Sequence, residues 1–191
     1  MIENFLAQLR ADGVAADAPL VIFDVGSRDC AQSIEFYEAF PNARIVAFEC
    51  NPQTLPLCAA AAAARADRLT LVPKAVHVCR SPRQGANLTG TTLASAAAAL
   101  GIARVDLIWM DLQGAELLAL QGMGDLLNGV RYVHTELSFR AMYTATCTRG
   151  ASASPLEYPA AVGRRTEFIG TRGFEANVFF LKLSVRSQTV S

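Results

Sequence analysis

Three carboxylates stand where apolar, strand-like runs of this chain close: Asp24 in Val21-Ile-Phe-Asp-Val-Gly26, Glu49 after the run ending at Phe48, and Asp111 after the run ending at Met110. Open α/β sheets bind ligands beyond the carboxyl ends of their strands, where the strand order reverses. Acids at such ends can accept hydrogen bonds from a ligand's ammonium or hydroxyl groups. Asp24 is the candidate for an ammonium group, and Gly26 lets backbone approach the ligand. The helix that follows can hold a carboxylate on the free N–H groups of its first turn. Ser27 and Arg28 complete this turn as candidate cofactor contacts. The turn lacks the later glycines of G-x-G-x-x-G, because positions 28 and 31 are Arg and Ala. Those glycines let a pyrophosphate lie close along the turn, so a smaller or less anionic group fits better. Glu49 follows Gly26 by 23 residues, the place from which a carboxylate accepts both hydroxyls of a ribose, with Cys50 beside it. The plainer alternatives are a solvated turn acid at Asp24 and a surface ion pair at Glu49.

Asp111 opens Asp-Leu-Gln-Gly-Ala-Glu116 and is the candidate for orienting or deprotonating an acceptor. Its alternative role is to cap a helix beginning near Gln113, and both can coexist. Glu116 reads as a first-turn acid facing the positive end of that helix. His134 and Glu136 share one face of a later strand; Glu136, near its carboxyl end, is the second catalytic candidate, whereas His134 reads as a buried core histidine. Asp111, Glu136 and His134 could also hold Mg²⁺, but no ligand spacing singles this out, and no metal is expected.

The elements that position these residues follow from hydrophobic period and from turn residues. A short amphipathic helix spans residues 2 to 10 and is expected to cover a sheet edge or the ligand. Strands are expected at 20–25, 44–48, 69–73, 105–110, 130–137 and 174–183. Between them, helices are expected at about 29–40, from Asn51 as N-cap with Pro52 at the first helical position into the alanine run of 59–66, at 92–100, and after Asp111. Residues 80–92 and 140–158 read as loops, and 164–169 fits helix or strand. Strand–helix alternation with a strand at the end indicates an α/β, doubly wound, mostly parallel sheet with a late antiparallel strand. One domain is expected over 1–191: a cover at 1–19, a cofactor-binding core at 20–137, a variable region at 138–170, a final strand at 171–183 and a tail at 184–191.

The block DVGSRDCAQSIEFYEAFPNARIVAFECNP, together with VDLIWMDLQGAELLALQGMGDLLNGVRYVHTE, resembles the FkbM-like S-adenosylmethionine-dependent methyltransferases. The resemblance runs over residues 20 to 137 and implies a Rossmann-like methyltransferase fold with S-adenosylmethionine as cofactor. It maps Asp24, Gly26 and Glu49 onto cofactor-binding positions and Ala75-Val76 onto a segment bordering the adenine. Asp111, Gln113, Gly114 and Glu116 fall on the second motif, at the methyl end of the cofactor. Many members carry a small residue and Asn, then Gly, where this chain has Ser27, Arg28 and Cys30.

Composition narrows the partners. Lys plus Arg equals Asp plus Glu at 17 each, which offers no basic surface for nucleic acid or acidic membrane. A small-molecule acceptor is therefore expected, with neither nucleic acid nor membrane as partner. The five cysteines show no zinc or disulfide-framework spacing and read as thiols in a reducing compartment. With no signal peptide and no apolar run of about 20 residues, the expected location is the cytoplasm. The resemblance, with a small-molecule partner, implies an O-directed methyltransferase acting on a sugar, glycan precursor or secondary metabolite. The rival reading is a non-catalytic adenosine-ligand binder or degenerate partner subunit, and a nicotinamide oxidoreductase is disfavoured by the missing glycines.

Overall fold

The computed structural model describes residues 2–76, 90–112, 115–137, 166–172 and 177–183. Two short, mostly apolar runs form neighbouring strands of the sheet, β1 (Val21–Val25) and β2 (Arg44–Phe48), and both are buried along nearly their whole length. Beside them lie β3 (Leu69–Val72), β6 (Leu107–Met110), β7 (Tyr132–Leu137), β8 (Thr166–Arg172) and β9 (Asn177–Leu183). The order is β3-β2-β1-β6-β7-β9-β8. β9 is antiparallel to both its neighbours, β7 and β8. Strand order reverses between β1 and β6, as a doubly wound sheet requires, and the carboxyl end of β1 is therefore a crevice for ligands. A separate pair, β4 (Ala75–Val76) with β5 (Gly90–Thr91), lies outside this sheet.

Helices cover both faces. On one, α1 (Ile2–Ala11), α2 (Ala31–Ala39) and α3 (Leu55–Ala63) pack over Ile22, Ile45, Ala47, Leu107 and Trp109. On the other, α4 (Leu93–Ala99), α5 (Glu116–Gln121) and a 3-10 turn at Gly124–Gly129 pack over Phe23, Val46, Phe48, Ile108 and Met110. Strand side chains alternate between faces, so Asp24, between Phe23 and Val25, points to the α2 side.

Some expectations shift. α1 lies over the middle of the sheet and not over an edge: Phe5 is fully buried, its ring against Phe36 and Trp109 at 6.3 and 5.6 Å. Burial of such a side chain contributes about 1.5–3 kcal/mol. α3 starts at Leu55 with Thr54 as N-cap, later than expected. Asn51 instead closes its own turn, its Oδ1 accepting the Gln53 N–H at 2.9 Å, an alternative that Asn side chains offer to helix capping. Of the segment 164–169, open between helix and strand, residues 166–169 belong to β8, and 164 and 165 lie outside the described residues. The last strand begins at Asn177. Most of the 80–92 loop and all of 140–158 lie outside the described residues.

The opposite ends of the strands are pinned by Asp106. Its Oδ2 accepts the Val21 N–H at 3.0 Å, and its Oδ1 accepts from Arg104 at 2.6 Å and stands 3.5 Å from the Arg131 guanidinium. The Asp106 carbonyl accepts the Arg131 N–H at 2.8 Å. The amino ends of β1, β6 and β7 are thereby joined on one buried carboxylate.

Candidate active site

Asp24, Glu49 and Asp111 end or follow β1, β2 and β6, three adjacent strands, so the topology gathers them at one crevice. Asp24 is fully buried, with Ser33 of α2 donating to its Oδ2 at 2.5 Å. Its Oδ1 is buried with no hydrogen-bond partner among the described residues. Burial raises the Asp24 pKa to about 7; the charges of Glu49 and Asp111 push the same way, against the Ser33 bond. An acceptor oxygen left unsatisfied in a protein interior is costly, and a ligand ammonium would satisfy it.

The turn after β1 is tied to both neighbours. Gly26 and Ser27 give their N–H groups to the Phe48 carbonyl of β2, each at 3.0 Å, and the Asp111 N–H donates to the Val25 carbonyl at 3.0 Å. Gly26 has φ +85, and a Cβ there would run into the Asp111 carbonyl. Only glycine fits this approach. Arg28 and Cys30 also have positive φ, 50° and 63°. The Arg28 side chain is 73% exposed and pairs with Asp29 at 3.4 Å, so the guanidinium does not fill the crevice. Ser27 is buried, with its hydroxyl 3.2 Å from the Phe48 carbonyl.

Glu49 is buried, and its Oε1 accepts the N–H groups of Cys50 and Asn51 at 2.7 and 2.6 Å. The carboxylate thus organises its own turn. Burial, and then the Glu49 charge, push the half-buried Cys50 thiol up. Ala75 is half-buried in β4, paired with Gly90.

Asp111 is exposed at the mouth of the crevice. The following helix begins at Glu116, with Ala115 in the N-cap position, so Asp111 does not cap it. Glu116 is buried and reaches backwards, its Oε1 accepting the Leu112 N–H at 2.9 Å. It closes the loop carrying the second motif, a role its sequence position alone does not disclose. Gln113 and Gly114 fall outside the described residues. The Glu136 backbone pairs with Val178 of β9. In strand register His134 lies across Trp109 from Asp24, its ring stacked on Trp109 at 3.3 Å and edge-on to Phe5 at 5.8 Å. Burial lowers its pKa to about 3 and keeps it neutral. Among the described residues no group of three His, Cys, Asp or Glu is arranged to hold a metal ion.

One expectation is overturned. Cys30 and Cys58 are not thiols: they form a disulfide, with Cα atoms 5.1 Å apart, across 28 residues of sequence. Their proximity arises from α2 and α3 packing on one face, which sequence spacing does not show.

A family model described as the methyltransferase FkbM domain matches residues 62–162, just over half of the 191 residues. The chain belongs to the FkbM methyltransferase family. The match holds Asp111, Glu116 and Glu136, and it begins beyond Asp24 and Glu49. Solved structures similar to this FkbM-family chain include a precorrin-6y C5,15-methyltransferase from Geobacter metallireducens, at 20% identity and TM-score 0.54, covering 95% of this chain and 86% of that one. The N-terminal domain of human METTL16 in complex with SAH matches at 14% identity and TM-score 0.59, over 97% of this chain and 69% of that one. TrmK of M. capricolum, in complex with S-adenosyl-homocysteine, matches at 8% identity and TM-score 0.57, over 96% of this chain and 68% of that one. These likenesses bear out the Rossmann-like methyltransferase fold. No curated protein matches the chain in sequence. No helix among the described residues is long and apolar enough to cross a membrane.

Proposed function

We propose that this FkbM-family chain transfers the methyl group of S-adenosylmethionine to a hydroxyl of a small acceptor, such as a sugar, a glycan precursor or a secondary metabolite. The observation that carries the reading is the unsatisfied Oδ1 of buried Asp24, set at the strand-order reversal between Glu49 and Asp111. When bound, the sulfonium supplies an activated methyl group for in-line displacement. The residues of the chain then bind and orient. Asp24 accepts from the ammonium group as a carboxylate, and the Gly26–Arg28 turn lies along the amino-acid moiety. Glu49, with Oε1 engaged by its own turn, offers Oε2 to a ribose hydroxyl, and Cys50 and Ala75 flank the nucleoside. Asp111 orients the acceptor hydroxyl and takes its proton, Glu136 faces the acceptor, and Gln113 belongs with Asp111 to the cofactor's methyl end. Positioning of this kind supplies much of the rate in a displacement, and a placed base about 10²–10⁴-fold.

The non-catalytic reading rests on Arg28 in the cofactor turn and on the short segment between Ala75 and Thr92; of these, the Arg28 guanidinium is turned to solvent, which favours an open turn. A cytoplasmic location belongs to this proposal, as does the absence of nucleic-acid and membrane partners.

Calorimetry with S-adenosylmethionine and S-adenosylhomocysteine tests the cofactor. Both should bind, and Glu49→Ala should weaken them at least tenfold, about 1.4 kcal/mol; wild-type protein that binds neither rejects the reading. Transfer of a tritiated methyl group to small molecules of a cell extract, lost in Asp111→Asn, tests the chemistry, and label recovered only on nitrogen or carbon would reject the O-directed part.

A further inference from the structure

We propose that Cys30 and Cys58 are a reversible thiol–disulfide pair whose oxidation state sets how tightly the site holds S-adenosylmethionine. The inference rests on the cofactor reading and adds a control to it. Cys30 is the last residue of the turn after β1 and stands at the N-cap of α2, whereas Cys58 lies in α3, the helix after the Glu49 strand. Their bond therefore joins the two segments that border the crevice.

The backbone gives the bond a task. Gly26, Arg28 and Cys30 alternate along the turn with φ of +85, 50 and 63. Only the first is glycine, and side chains disfavour this region. A turn with two such residues needs restraint from outside. The Gly26 and Ser27 N–H bonds to the Phe48 carbonyl hold the start of the turn, and Cys30, which has no side-chain cap bond, is held at its end by its N–H bond to the Ser27 carbonyl and by the cross-link to α3. Ser27 joins the same anchor, its hydroxyl 3.4 Å from the Cys58 Sγ. With the bond broken, the turn can relax towards negative φ and shift the N–H groups and the Asp24 environment that a ligand meets.

Reduction by a dithiol breaks the Sγ–Sγ bond. Two electrons and two protons go to Cys30 and Cys58, and the dithiol closes to its own disulfide. Both cysteines are fully buried, so exchange requires local opening. A ligand that favours the oxidised form must in turn stabilise the bond. In the cytoplasm such bonds are ordinarily transient or redox-sensing.

The test uses the full chain, oxidised and after equilibration with dithiothreitol. Mass spectrometry after alkylation shows two further thiols when the bond is open. S-adenosylhomocysteine should bind at least tenfold more weakly to the reduced protein. Cys58→Ser should bind weakly with or without reductant, and Cys30→Gly added to it should recover part of the affinity, because glycine holds positive φ unaided. Bound S-adenosylhomocysteine should also slow reduction. Equal affinity in the oxidised and reduced wild type, a comparison that needs no variant, overturns the proposal alone. Absence of binding in both states overturns the cofactor reading and the proposal with it.

Discussion

Gly26 and Asp111 meet backbone to backbone, the α-carbon of one facing the carbonyl of the other, with no room for a side chain between them. The contact holds the end of β1 against the start of the second motif, so these two segments keep one spacing. Gly26→Ala adds a methyl group into that carbonyl at φ +85. The left-handed conformation alone costs about 1–2 kcal/mol, and the clash adds to it. Denaturant unfolding should show a loss of at least about 2 kcal/mol, with S-adenosylhomocysteine binding lost in calorimetry.

Asp24 and His134 give opposite pH signatures. Asp24 keeps its proton in the fold up to about pH 7, against 3.8 ordinarily. Its contribution to stability is complete below pH 3.8 and is lost as pH rises towards 7. His134 refuses a proton down to about pH 3, against 6.5 ordinarily, so its contribution is complete above pH 6.5 and is lost as pH falls towards 3. Across pH 3.8 to 6.5 the two offset each other. Asp24→Asn removes one side, and its melting temperature should fall more steeply than wild type on going from pH 6.5 to pH 4.5. A parallel fall in both proteins would contradict the buried, protonated state of Asp24.

Ligand binding should carry the same group. If Asp24 meets an ammonium as a carboxylate, affinity for S-adenosylhomocysteine should rise with pH through about 7 and level off above it. Asp24→Asn should bind weakly and without this rise. Calorimetry at pH 6 and pH 8 gives both slopes.

Glu116 should act through the loop it closes. Glu116→Ala removes the acceptor of the Leu112 N–H, a loss of about 1–3 kcal/mol for a charged partner. Glu116→Gln keeps an acceptor oxygen of the same reach and should recover most of that stability. Methyl-transfer rate should fall in the Ala variant with less change in cofactor affinity, because Glu49 and Asp24 are untouched.

Phe5→Ala should cost about 3–5 kcal/mol, the range for an aromatic truncated in a core. The ring packs against Phe36, Trp109 and His134, so its loss should also change the near-ultraviolet signal of Trp109.

The strands were legible where apolar residues run without interruption: β2 matches its expected bounds, because a strand buried on both faces leaves no period to misread. Helix starts were less so. Asn51 carries the sequence mark of a cap but bonds within its own turn, and sequence does not distinguish the two uses. The β4–β5 pair is too short to leave a pattern. In the candidate site, acids at strand ends single out Asp24, Glu49 and Asp111, and the strand order brings these three together. Ser33 under Asp24 and the Cys30–Cys58 bond were hidden because each depends on how a helix docks onto the sheet, and the Glu116 bond to the Leu112 N–H was hidden because it depends on the path of the loop between them.

The Asp106 anchor has a mechanical meaning. It fastens three strands at the end remote from the crevice, as a beam is clamped at its wall. The strands above it then serve as a fixed reference for the turns at Gly26, Cys50 and Leu112 at their other ends. Loosening the clamp, as in Asp106→Ala, would disturb the far end of the molecule without touching a single residue there.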